Sequence, residues 1–243
     1  MPQFLIKKSD IHGDEARIIG SDARHIATVL RLKAGDWIRL TDGEGGLYRA
    51  VITASSPKLV SVKLKPLVNS TGGVGRIVLA QALTKHDKFE WVIQKSVELG
   101  CQRIIPFVSD RVVPRFAASD SRLVRFGKIA EQAAKQCGAA VMPQISDITD
   151  FAGLLKDFGR YSCVVFFWEG EEKKGLRDIE MGKGDVLVVI GPEGGFSEKE
   201  VALAREKGAT IANLGPLILR TETAAIAAVT LVQYKLGYFD VER

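Results

Sequence analysis

The sequence predicts an α/β protein, with a small β-rich N-terminal part ahead of a larger domain on a mostly parallel sheet. Three observations predict it. Strand-like runs and tight turns crowd residues 1–68, as in a small barrel. Beyond a glycine-bearing stretch, strands alternate with helical patterns to the end of the chain. The runs Cys163–Trp168 and Val186–Ile190 are apolar throughout, the pattern of strands covered on both faces.

The elements follow in order. Asp22 to Arg31 reads as a short helix opened by a Ser21 or Asp22 cap. Trp37–Leu40 and Leu47–Ile52 flank the turn Asp42-Gly43-Glu44-Gly45-Gly46 and form a hairpin. Lys58–Leu64 alternates at period two, as a half-buried strand does. Asn69–Gly75 is the expected linker, giving domains 1–70 and 71–243. Arg76–Ala80 and Arg103–Val108 read as strands, and Leu123–Cys137 as a helix. Lys85–Leu99 reads as a helix with Phe89, Val92, Ile93, Ser96 and Val97 on one face and Gly100 at its end. Ser197-x-x-Glu200 is a capping box opening a helix that ends before Gly208. Thr210–Leu214 is a strand. The last helix, Thr221–Lys235, is small and apolar nearly all round, so burial on most sides is expected, by its own domain or by a second subunit.

Composition narrows the class. The chain has 243 residues, 46% hydrophobic and 26% charged, an ordinary globular balance. No apolar run approaches the roughly 20 residues that span a bilayer. The opening MPQFLIKKSD lacks the apolar core of a signal peptide, so a cytoplasmic protein with no membrane association is expected. Cys101, Cys137 and Cys163, like the three histidines, are scattered without ligand spacing, so neither a disulfide framework nor a metal is expected. The net charge of +5 is unevenly spread: residues 1–135 carry +9 and residues 136–243 carry −4. Such asymmetry suits a polyanion met by the N-terminal half, or a solvated basic surface.

Two loops carry the chemistry. Ile190-Gly191-Pro192-Glu193-Gly194-Gly195-Phe196 links an apolar strand to a helix start. It lacks the lysine of a P-loop and the spacing of a dinucleotide loop. Glu193 inside it and Glu198 after it would repel phosphate, so a neutral or cationic ligand fits better. Leu214-Gly215-Pro216-Leu217-Ile218-Leu219-Arg220-Thr221-Glu222-Thr223 repeats the arrangement, with Thr221 or Thr223 able to cap the last helix. Parallel sheets bind ligands beyond the carboxyl ends of their strands, so the two loops would share one pocket.

The pair IGPEGGF…LGPLILRTETA resembles the small-subunit (16S) ribosomal RNA uridine-N3 methyltransferases, of the SPOUT class. The resemblance extends along the chain. His25–Leu32, Gly35-Asp36 and Asp42-Gly43 resemble that family's PUA-like barrel; Gln81–Lys85, Gln94–Gly100, Pro106 and Asp110-Arg111 resemble its middle signature; Gln136-Cys137-Gly138 with Pro143 resembles the next. It implies an N-terminal PUA-like RNA-binding β-barrel, a C-terminal domain with a trefoil knot, a homodimer, and S-adenosylmethionine as methyl donor. By matching positions it implies a cofactor cradle of Ile190, Gly191, Glu193, Gly194, Leu214, Gly215, Leu219, Thr223 and Ala224. The implied partner is ribosomal RNA or the small ribosomal subunit, with His25, Arg31, Lys85 and Arg111 as RNA contacts. His25 also lies on an apolar-periodic stretch with Ile26, Val29 and Leu30, the setting of a packing residue. Arg220 is the candidate for orienting RNA or stabilising charge on uracil, and Glu222 the candidate proton acceptor or its ion-pair partner. Ala139 and Leu217 stand where the family usually has arginine. The competing readings are a knotted methyltransferase of another RNA, such as tRNA, and a non-catalytic RNA-binding assembly factor.

Overall fold

A computed structural model describes residues 1–66, 77–84, 86–111, 120–172 and 174–240. The expected linker and Lys85 lie outside the described residues. The chain separates into two compact units, one of Met1–Gly73 with Ala134–Met142, the other of Val74–Ala133 with Pro143–Arg243.

In the first unit, β1 (Gln3–Leu5), β2 (Ile11–His12), β3 (Glu15–Ile19), a short helix α1 (Gly20–Arg24), β4 (Trp37–Thr41), β5 (Leu47–Ser55) and β6 (Leu59–Pro66) follow one another. The strands form one sheet in the order β1-β4-β5-β6-β3-β2. Only β1–β4 is parallel. Phe4, Ile18, Ile26, Ile38, Leu40, Ile52 and Val62 fill its core. The hairpin β4–β5 closes where expected because Asp42 Oδ1 accepts from Glu44 N and Gly46 N, at 2.9 and 2.8 Å. Ala134–Met142 joins this unit by backbone capture: Gln3 Nε2 donates to Ala139 O at 2.8 Å and Thr41 Oγ1 to Ala140 O at 2.7 Å.

The helix expected over 22–31 is corrected. α1 starts at Gly20 with no side-chain cap and passes into a π-helical turn over His25–Val29. Asp22 is drawn instead to Lys135 Nζ, at 3.0 Å. The wider turn, closed by Leu30 N to His25 O at 2.9 Å, rotates the side chains off the 3.6-residue face. Ile26 alone of the expected stripe is buried, while His25, Val29 and Leu30 are exposed.

The second unit contains β7 (Ile77–Ala82), α2 (His86–Glu98), β8 (Arg103–Val108), α3 (Asp120–Cys137, whose last residues belong with the first unit), β9 (Gln144–Ile145), β10 (Thr149–Asp150), α4 (Phe151–Lys156), β11 (Cys163–Phe167), β12 (Val186–Ile190), α5 (Glu198–Glu206), β13 (Thr210–Ala212) and α6 (Thr221–Lys235). Its sheet runs β10-β8-β7-β12-β11-β13, with β9 beside β8. Every pair in it is parallel. β7, β11 and β12 are buried at every position, which is why their sequences do not alternate. After β13, at the edge of the sheet, the chain returns so that α6 packs on α2, β7 and β12. That return occupies the place where the resemblance puts the knot.

α6 is buried on one side by its own domain, one of the two covers expected for it. Ala225, Ala228, Val229 and Val232 are buried, but Leu231 and Tyr234 are 44% and 70% exposed. Among the described residues, the chain covers one side of the helix.

Candidate active site

The carboxyl ends of β11 and β12, the loop after β13 and the start of α6 enclose a cavity of about 380 Å³. This is the switch region where a parallel sheet offers a crevice. Ile190, Gly191, Glu193, Leu214, Gly215, Leu219 and Ala224 line it, and so do Arg220 and Lys88. Gly194 and Thr223 are off its wall. The Gly194 carbonyl accepts from Arg111 Nη1 at 2.9 Å, and Thr223 is exposed on the first turn of α6. Arg111 is therefore tied to the glycine loop.

The first loop is shaped by sterics. Gly195 has φ +67°, and its N–H closes a turn on Pro192 O at 3.0 Å. A side chain there would be strained. At Gly191 a Cβ would lie 2.9 Å from Phe196 Cε2, so only glycine lets this ring seat. Phe196 is buried, its ring 4.1 Å from that of Phe166. Behind it Ser197 and Glu200 form the expected capping box. The structure adds a second duty for Glu200, which also accepts from Ser109 Oγ (2.8 Å) and Asp110 N (3.1 Å).

The loop preceding α6 is held to the first by a buried relay. Gln81 Nε2 lies 3.1 Å from Thr221 Oγ1, which donates to Gly191 O at 2.6 Å. This corrects the capping expectation: neither Thr221 nor Thr223 caps α6, whose N-cap is the extended Arg220. Leu217 and Ile218, in the loop that precedes α6, are 76% and 87% exposed.

Charge is organised around one cation that the sequence reading missed. Lys88 Nζ on α2 lies 3.7 Å from Glu193 Oε1 and 3.6 Å from Glu222 Oε2. Glu222 is half-buried, and its Oε2 accepts no hydrogen bond. Lys88 could have been flagged only as a polar residue one position from the buried Phe89. Glu169 is a second omission: it also lines the cavity, just past β11. The cavity thus combines apolar walls, glycine backbone and carboxylates, with Lys88 already engaged. Arg220 adds a second cation, so the wall carries two carboxylates and two cations.

The RNA candidates of the first unit lie elsewhere. Exposed His25 packs edge-on against Phe4, with ring centroids 6.1 Å apart. It lines a shallow depression with Arg24, Thr28 and Lys58. Arg31 is exposed, with φ +56°, the left-handed exit from the π-helical turn.

Comparison with known proteins matches this geometry. Residues 73–233 match the family described as an RNA methyltransferase domain, and residues 18–65 match the RNA methyltransferase PUA domain. The chain is 31% identical to ribosomal RNA small subunit methyltransferase E of Bacillus subtilis, covering 97% of both chains. It is 32% identical to the protein of that name from Rickettsia conorii, over 86% of this chain and 85% of the relative. Its fold matches the crystal structure of the Neisseria gonorrhoeae ribosomal RNA small subunit methyltransferase E bound to S-adenosyl methionine, with a TM-score of 0.87, 28% identity and coverage of 97% and 98%. A profile that spans most of the chain, and relatives of this identity over nearly its whole length, place it: the chain belongs to the RNA methyltransferase family.

Proposed function

We propose that the protein transfers a methyl group from S-adenosylmethionine to N3 of a uridine in small-subunit ribosomal RNA, acting on the assembled subunit. The observation that carries this reading is the cavity between the two glycine loops, whose apolar walls, glycine backbone and carboxylates Glu169 and Glu193 leave room for a phosphate-free, cationic donor. Donor chemistry is supplied by the sulfonium, whose carbon–sulfur bond breaks as the new nitrogen–carbon bond forms. Ile190, Gly191, Leu214, Gly215, Leu219 and Ala224 would hold the donor through backbone approach and apolar contact, with Glu193 facing it, Gly194 shaping the first loop and Thr223 at the rim.

The chain's own task is positioning and proton removal. Uracil N3 carries a proton between two carbonyls. Glu222, whose Oε2 accepts no hydrogen bond among the described residues, is the proposed acceptor, with Lys88 Nζ 3.6 Å from it. Arg220 is exposed at the cavity and stabilises negative charge developing on the uracil oxygens. RNA is gripped by residues 1–70 with His25 and Arg31, and by Lys85 and Arg111 of residues 71–243. The open face of α6, with Leu231 and Tyr234, suits a homodimer in the cytoplasm; sedimentation as a monomer at micromolar concentration would count against the dimer.

The direct test is methyl transfer to small subunits that lack the modification, followed by mapping of the modified base. Modification of tRNA instead, or donor binding without turnover, would replace this reading by one of its rivals. Arg220→Ala is expected to cut methyl transfer about 100-fold, in line with the loss of one charge-stabilising donor, while calorimetric donor affinity stays within a factor of about three. Unchanged transfer would remove Arg220 from this role.

A further inference from the structure

Four charged side chains line the cavity, Lys88, Glu169, Glu193 and Arg220, and of its two carboxylates Glu169 is the one without an ion pair among the described residues. Lys88 is shared between Glu193 and Glu222. Glu171, two residues beyond Glu169, is paired with Arg205, at 3.4 Å. Glu169 itself forms no ion pair or hydrogen bond among the described residues, yet it lines the cavity.

Its place is not that of a loose surface side chain. The turn that carries it is pinned on both sides: Trp168 N donates to Ala212 O at 2.9 Å, and Asn213 Nδ2 donates to Glu171 O at 2.6 Å. The side chain folds back over Gly195, where a Cβ would overlap Glu169 Oε1. The second glycine of the Gly194-Gly195 pair therefore does two things. It adopts a left-handed backbone, and it leaves the space in which the Glu169 carboxylate stands at the cavity. An unpaired carboxylate at the cavity wall, beside Lys88, Glu193 and Arg220, favours a ligand by each positive charge that ligand carries.

From this we infer that Glu169 makes the cavity discriminate between the charged methyl donor and the neutral product. The inference rests on the donor proposed above. Donor and product share the adenosine, the amino group and the carboxylate. They differ by one methyl and one positive charge, which is lost when the sulfonium becomes a thioether. An unpaired carboxylate at the wall raises affinity for the first above that for the second by the attraction of the one additional charge, so spent product leaves more readily than donor.

The test is calorimetric titration of wild-type and Glu169→Gln proteins with S-adenosylmethionine and with S-adenosylhomocysteine. The exchange is isosteric at an exposed position, and matched thermal melting would verify the fold. The expected result is a donor-to-product affinity ratio about 3- to 10-fold lower in the variant, with product affinity within about twofold of wild type; solvent exposure of the carboxylate keeps the effect this modest. In wild type the ratio should fall as salt rises, and in the variant this salt dependence should be weaker, Glu193 being left at the wall. An unchanged ratio overturns the inference, and so does an equal loss of both affinities, which would mean that Glu169 only shapes the loop. Wild-type protein that binds neither compound would overturn the donor assignment itself, and this inference with it.

Discussion

At the scale of single residues, the site depends on side chains whose partners are remote in sequence. Thr221 is 140 positions from Gln81 and 30 from Gly191, yet its hydroxyl lies against both. Thr221→Val keeps the shape and removes the polar link, leaving Gly191 O and Gln81 Nε2 short of a partner in a buried place. A loss of about 1–3 kcal/mol in urea unfolding is expected, with weaker donor binding; stability equal to wild type would show that the two loops are held without this relay. The cysteines make a second case. Burial pushes the Cys101 thiol from 9.0 up to about 12, while Cys137 is exposed. Cys137 should react with iodoacetamide at pH 8 and Cys101 should not, as peptide mapping would reveal. The raised value also sets a pH slope. Above pH 9 the unfolded chain loses the Cys101 proton while the folded chain keeps it, so stability falls as pH rises from about 9 towards 12, by at most about 1.4 kcal/mol per unit from this group. Cys101→Ala should flatten that slope in chemical denaturation.

At the scale of elements, the apolar clusters decide where the glycine loop sits. Phe196 closes a group with Phe107, Phe151 and Phe166, drawn from β8, α4 and β11. Its edge also fills the space that a side chain at Gly191 would take. Phe196→Ala is expected to cost about 3–5 kcal/mol, the usual range for emptying an aromatic site, and to loosen the loop above it. Thermal and urea unfolding read the first effect and donor titration the second; a cost below about 1 kcal/mol would mean that the core closes over the gap. Several elements were legible beforehand because their signals are local. The bounds of β8, β12 and α6 are those expected. The capping box of α5 needs only residues three apart. α1 was misread because an apolar stripe of period 3.6 does not announce a π-helical turn, which depends on which carbonyl Leu30 N reaches.

At the scale of the whole molecule, charge is the relevant quantity. Residues 1–135 carry +9 and the remainder −4, so binding of ribosomal RNA should weaken as salt rises. With about four to six phosphates engaged, the logarithm of affinity should fall with a slope of roughly −3 to −5 against the logarithm of salt concentration. Filter binding at several salt concentrations measures it. Arg31→Ala should lessen the slope by about one without changing donor affinity, whereas a flat salt response would detach the basic half from RNA.

The alternation of strands and helices, the two glycine loops and the carboxylates in and after the first of them are legible from residue order alone. Each of these is written in neighbours within about four residues, through side-chain period, turn chemistry and the sign of charges in one loop. Long-range packing sets the rest: α6 returns over β7 and β12, Thr221 binds Gly191 instead of capping its own helix, and Lys88 joins Glu193 to Glu222. It also decided that Glu169 stands over Gly195. Those contacts join positions that local propensity leaves independent, and they exist only once the buried strands have chosen their order in the sheet.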